Sequence, residues 1–99
     1  MHTHIVFFWL KEPNTPSQRD QFKAGLAHLV QDPNVLQATI GEPAATARDV
    51  VENGYDFGLV AQFDDLAAHD AYQIGPNHAA FLDMCQDLWS NVQVYDLSS

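Results

Sequence analysis

The hydrophobic pattern opens on Ile5-Val6-Phe7-Phe8-Trp9-Leu10, a run of β-branched and aromatic residues that predicts a strand stopped by Lys11-Glu12-Pro13. Successive side chains of a strand point to opposite faces, so Val6, Phe8 and Leu10 share one side and Ile5, Phe7 and Trp9 the other. Both sides are apolar, the pattern of a central strand covered twice. Thr15-Pro16-Ser17-Gln18 then sets a cap, a proline at the first helical position and a glutamine three residues past the cap. Phe22, Leu26, Leu29 and Val30 follow on one helical stripe, and Asp32-Pro33 ends it.

Val35 to Ile40 predicts a second strand, closed by Gly41-Glu42-Pro43, and Ala44 to Gly54 a connection with room for a helical turn. Tyr55, Phe57, Leu59, Ala61 and Phe63 alternate with Asp56, Gly58, Val60 and Gln62, which predicts a third strand. Asp64 or Asp65 caps a second helix through Leu66, Ala67, Ala68, Ala71 and Tyr72, interrupted by Gly75-Pro76. Asn77 is the expected cap of a third helix, with Phe81, Met84, Cys85, Leu88 and Trp89 along its stripe as far as Ser90. Val92, Val94 and Tyr95 form the last strand.

Strand, helix, strand, strand, helix pair, strand is the order of an α+β, ferredoxin-like fold, βαββαβ with a split second helix. Helices cover one face of such a sheet, yet the first strand is greasy on both. The uncovered face therefore calls for a second copy of the chain, sheet against sheet in a dimeric α+β barrel. No repeat or linker divides residues 1–99, so one domain is expected.

Composition narrows the partners. Four Lys+Arg against thirteen Asp+Glu give a net charge of -9, which repels a phosphate backbone and an anionic membrane alike, so neither nucleic acid nor membrane is an expected partner. The single cysteine, Cys85, has no internal disulfide partner, and no basic leader or long apolar span is seen, so a reducing, cytoplasmic setting is expected.

The candidate chemistry lies in Tyr72-Gln73-Ile74-Gly75-Pro76-Asn77-His78, where two helices meet. His78 in the first turn of a helix loses affinity for its proton, and a neutral imidazole accepts one; Tyr72 opposite it supplies a hydroxyl for a substrate oxygen. Residue types alone favour the plainer reading, in which Tyr72 packs on the sheet with its hydroxyl at the surface and His78 braces the turn. His2 and His4 share one side of the first strand, but an HxH pair with no HExxH or cysteine complement reads as structural, or as pocket lining for His4, and no metal is expected. His28 and His69 read as solvated helix residues. No Ser/His/Asp order, phosphate loop or dinucleotide fingerprint occurs, and no cofactor is expected.

The opening His4-Ile5-Val6-Phe7-Phe8-Trp9-Leu10-Lys11, the strand Tyr55-Asp56-Phe57-Gly58-Leu59 and the junction Tyr72 to Phe81 together resemble the stress-responsive A/B barrel (Dabb) family. The resemblance covers nearly the whole chain and implies a ferredoxin-like homodimer whose sheets form a barrel. Most of the family has no established reaction, while a plant member closes a linear polyketide with a Tyr/His pair. Carried over, His78 is the base and Tyr72 polarises the carbonyl or stabilises its enolate, with His4 and Trp89 at the pocket; beside them, Phe57 and Leu59 of the third strand are expected to line the substrate cleft. Phe57 stands where that cyclase has a further histidine, and helix one lacks its pocket tyrosine. Two function classes follow: a homodimer that binds a small hydrophobic molecule without catalysis, or a cofactor-independent lyase or cyclase.

Overall fold

In the computed structural model, which describes residues 1–99, β1 (His2–Leu10) pairs along its length with two neighbours. The sequence continues through α1 (Pro16–Leu29), β2 (Gln37–Gly41), β3 (Phe57–Phe63), α2 (Leu66–Gln73), α3 (Pro76–Cys85), a 3-10 turn over Gln86–Leu88, and β4 (Trp89–Ser98). The sheet order is β2-β3-β1-β4 with every pair antiparallel, and the fold is ferredoxin-like α+β. No helix is long and apolar enough to cross a membrane.

Local signals explain the elements. Thr15 and Gln18 form the reciprocal capping box, Gln18 N–H donating to Thr15 Oγ1 at 3.1 Å and Thr15 N–H to Gln18 Oε1 at 2.9 Å. The stripe Phe22, Leu26 and Leu29 is fully buried. It meets Val6, Phe8 and Leu10 of β1 and Phe57, Leu59, Ala61 and Phe63 of β3 in one core that also takes in Tyr72, Phe81 and Cys85. Arg19 reaches across from α1 with its guanidinium 4.8 Å from the centre of the Phe57 ring, and donates to Asp56 Oδ1 at 2.9 Å. The other oxygen of Asp56 accepts from Leu10 N–H at 2.7 Å, so one carboxylate ties α1 to the end of β1.

Several boundaries differ from the sequence pattern. β1 begins at His2 rather than Ile5, because β3 and β4 run far enough to pair with it at His2↔Phe63 and His2↔Ser98. β2 starts at Gln37 because Asp32 binds the turn before it, accepting from Asn34 N–H at 2.8 Å and, through its carbonyl, from Val35 N–H at 3.0 Å. Residues 44–54 carry no helix. Tyr55 precedes β3 and lies on the opposite face from Phe57, its ring 4.7 Å from that of Phe7. Gly75, not Asn77, is the N-cap of α3 with Pro76 at the first helical position; the Asn77 amide donates instead to the His28 carbonyl at 2.9 Å. α3 stops at Cys85, and Trp89 opens β4, where a register shift between Trp9 and Leu10 is bridged by the Ser90 hydroxyl.

The register sorts the outer face. Thr3, Ile5, Phe7 and Trp9 are flanked there by Gly58, Val60 and Gln62 on one side and by Asn91, Gln93, Tyr95 and Leu97 on the other. With Gln37, Thr39 and Gly41 of β2, the strands put no Asp, Glu, Lys or Arg on this face in a chain of net charge -9, and Glu52 from the loop before β3 sits beside Phe7, Trp9 and Tyr95.

Candidate functional site

Between α2, α3 and the helix-side face of β1 and β4 lies a cleft of ≈ 170 Å³. Its walls are mostly apolar, with Val6 and Phe8 of β1, Leu29, Phe81, Val92 and Val94 among them. Trp89 closes one end, 5.5 Å between ring centres from Phe8 and stacked at 5.7 Å on Phe81. His4, Tyr72, Gln73 and His78 supply the polar groups.

Of the residues singled out from sequence, His4, Leu59, Tyr72, His78 and Trp89 all border this cleft. Phe57 does not: it is stacked on Phe22 with ring centres 5.3 Å apart, beneath the Arg19 guanidinium. Its place near the far end of β3 puts it under α1 rather than under the α2–α3 junction.

The break at Gly75-Pro76 makes the Tyr72–His78 juxtaposition. Tyr72 ends the last turn of α2 and His78 stands at the third position of α3, so a short reversal brings the two rings to 5.6 Å in an edge-on arrangement. A methyl on Gly75 would meet Asp32 Oδ2 at 3.0 Å and the Ala71 carbonyl at 3.2 Å, which is why the reversal takes a glycine. Tyr72 is 1% exposed, and its hydroxyl hydrogen-bonds to no other protein group. Since no fully buried side-chain polar atom lacks a partner, that hydroxyl opens onto the cleft.

Electrostatics separates the two groups. Burial, reinforced by the Asp32 charge, pushes the Tyr72 phenol far above its ordinary value, so it stays a donor. Burial first, and then the neighbouring His4 and His69, hold the His78 imidazole below its ordinary value, so at neutral pH it is an acceptor of protons. His4 is lowered too, because burial outweighs its bond to Asp96. A donor and a base face one another across an apolar cavity, an arrangement able to bind a carbonyl oxygen and take an α-proton.

Sequence reasoning missed what lies beside His4. His69, expected in solvent, is 7% exposed, because α2 turns it down onto the start of β1. Its ring centre is 4.3 Å from that of His2 and 4.8 Å from that of His4. Asp96 stands opposite His4 on β4 and accepts at Oδ1 from His4 Nδ1 at 2.7 Å and His2 Nε2 at 3.0 Å. Burial raises the Asp96 carboxyl, but the bonds from the two histidines outweigh it and leave it below the usual carboxylate range. Two patterns carried this signal: His69, Tyr72 and Gln73 share a helix face at i, i+3 and i+4, and Asp96 continues the inward alternation of Val92 and Val94.

Among solved structures, a dimeric ferredoxin-like protein of unknown function from Thermobifida fusca is 25% identical, with a TM-score of 0.82 over 99% of this chain and 90% of that one. A Dabb family protein with a ferredoxin-like fold from Mesorhizobium loti is 23% identical, with a TM-score of 0.79 over 99% and 95% of the two chains. A hydroxynitrile lyase from Passiflora edulis is 20% identical, with a TM-score of 0.81 over 97% and 90%. Among curated proteins no relative matches the chain. The family model described as the stress responsive A/B barrel domain matches residues 3–99, and with that span the chain belongs to this family.

Proposed function

We propose that the protein is a cytoplasmic homodimer, paired through its outer sheet face, whose cleft binds a small apolar molecule bearing a carbonyl group. The observation that carries the ligand is the free hydroxyl of Tyr72 set 5.6 Å, ring to ring, from His78 in an otherwise apolar cavity. An engineered apolar cavity of about 150 Å³ in another protein holds a benzene molecule, so ≈ 170 Å³ suits one substituted ring. The dimer is supported by the outer face, where Ile5, Phe7 and Trp9 are only half-buried and Tyr95 and Leu97 are exposed, and whose strands carry no charge, with Glu52 from the preceding loop the one carboxylate beside Phe7 and Trp9. The buried, unpaired Cys85 thiol suits a reducing compartment.

Acetophenone and ethylbenzene differ at the carbonyl and match in size. Calorimetric titration should find acetophenone bound about fivefold tighter, the worth of one neutral hydrogen bond of about 1 kcal/mol. Tyr72→Phe should abolish that preference, and equal affinities in the unsubstituted protein would remove the carbonyl from the proposal. A second reading, a cofactor-independent lyase or cyclase with His78 as base and Tyr72 stabilising the enolate, is favoured by the lowered proton affinity of His78. On that reading the protein exchanges the α-protons of acetophenone with deuterium from solvent, and His78→Ala stops the exchange.

A further inference from the structure

We infer that His2, His4, His69 and Asp96 form a binding site for one divalent transition-metal ion of the zinc class, at the polar end of the cleft. The four ligand atoms, one from each side chain, lie within 4.8 Å of one another. Three of the side chains are buried, His2 at 8%, His4 at 6% and His69 at 7% exposure, while the more exposed Asp96 leaves a path from solvent. A tetrahedral ion with metal–nitrogen distances of about 2.0–2.1 Å sets its ligand atoms roughly 3.3 Å apart. The His4 Nδ1 to Asp96 Oδ1 and His2 Nε2 to Asp96 Oδ1 spacings of 2.7 and 3.0 Å already bracket that from below, and the His69 Nε2 to Asp96 Oδ1 spacing of 4.0 Å from above. Closing the set requires the His69 imidazole to move toward Asp96 by under about an ångström.

The hydrogen bonds around His69 fit a ligand better than a structural residue. Its Nδ1 lies 3.2 Å from Asp70 Oδ1 and donates to it, which leaves a lone pair on Nε2. The Gln73 amide nitrogen, 3.1 Å from Nε2, donates to that lone pair. The lone pair and Asp96 Oδ1 are 4.0 Å apart, so a cation placed between them would be bound by both in exchange for their present hydrogen bonds. A carboxylate on the remote ring nitrogen is the usual device for orienting a metal-bound histidine. Three neutral imidazoles and one carboxylate suit zinc, cobalt, nickel or copper, and are poor ligands for calcium or magnesium.

The site needs three elements: β1 supplies two ligands at i and i+2, β4 supplies the residue opposite His4, and α2 supplies the third imidazole from above. With four protein ligands it is closed, of the kind that holds structure together. An ion there would clamp α2 to the sheet next to Tyr72. It stands on its own observations and does not depend on the ligand proposed for the cleft.

Chelator-stripped protein titrated with Zn²⁺ near neutral pH should bind one ion per chain with micromolar or tighter affinity, and its thermal midpoint should rise. Co²⁺ in place of Zn²⁺ should give the intense visible absorption of a tetrahedral site. Asp96→Asn, an isosteric change at a half-exposed position that keeps an oxygen to accept from His2 and His4, and His69→Gln should each weaken binding at least tenfold, and His28→Ala, which removes an exposed histidine of α1, should leave it unchanged. Affinity weaker than about millimolar, or binding equally tight in the Asp96→Asn and His69→Gln proteins, would overturn the assignment.

Discussion

Gly25 stands where α1 crosses α3, and that crossing holds His78 in place. A methyl at residue 25 would overlap Cys85 Sγ and come to 3.3 Å from Phe81 Cδ1, both on α3 and both buried. Gly→Ala in a helix interior gains roughly 0.5–1 kcal/mol from backbone entropy. Overpacking a filled core costs about 1–3 kcal/mol. Gly25→Ala should therefore destabilise the protein by about 1 kcal/mol, the clash outweighing the propensity gain. Removing the sulfur reverses the sign: in a Cys85→Ala background the same change should stabilise by up to about 1 kcal/mol. The four proteins form a double-mutant cycle with a coupling of about 1–3 kcal/mol, read from urea unfolding at one fixed protein concentration. If Gly25→Ala stabilises the unsubstituted protein as much as it does the Cys85→Ala protein, the helix crossing is not packed as described.

Further outcomes follow from the same contacts. Phe7→Asp on the outer face should turn the assembly into an 11.0 kDa species in sedimentation with its circular dichroism retained, and a dimer that survives would remove that face as the interface. Asp56→Ala should cost about 2–3 kcal/mol, since it leaves the Arg19 guanidinium without its nearest carboxylate and the Leu10 N–H without its acceptor; a loss under about 0.5 kcal/mol in urea unfolding would contradict this. Because His78 binds its proton more weakly folded than unfolded, its contribution is complete above the unfolded value of 6.5 and falls as the pH drops from there toward the folded value. Urea midpoints should therefore decline more steeply through that window in the unsubstituted protein than in His78→Gln.

The fold was legible because each element carries its own signal: the capping box at Thr15, the two-residue alternation through β3, and the greasy run of β1. Element ends were less so, since β1 begins at His2 only because distant β3 and β4 extend to meet it. The pattern puts the α3 cap too late because Asn77, a good capping residue, spends its amide on the His28 carbonyl, and Gly75-Pro76 starts the helix instead. The junction from Tyr72 to His78 could be read locally, being confined to a few residues around a glycine and a proline. The histidine cluster could not, for it joins β1, α2 and β4, and an HxH pair says nothing of a helix far along the chain. Phe57 went to the core because it opens β3 at the end farther from Tyr72, beneath α1, while Phe63 at the other end of the strand meets Tyr72, a placement that alternation alone does not disclose.

The opposition of a neutral His78 to Tyr72 across the cleft is tested most directly by following the His78 ring by NMR through a pH titration, with and without acetophenone. The midpoint should lie below 6.5, and the ring and the Tyr72 resonances should both move when the ligand is added. A midpoint at or above 6.5, with neither residue responding to the ligand, would contradict the account.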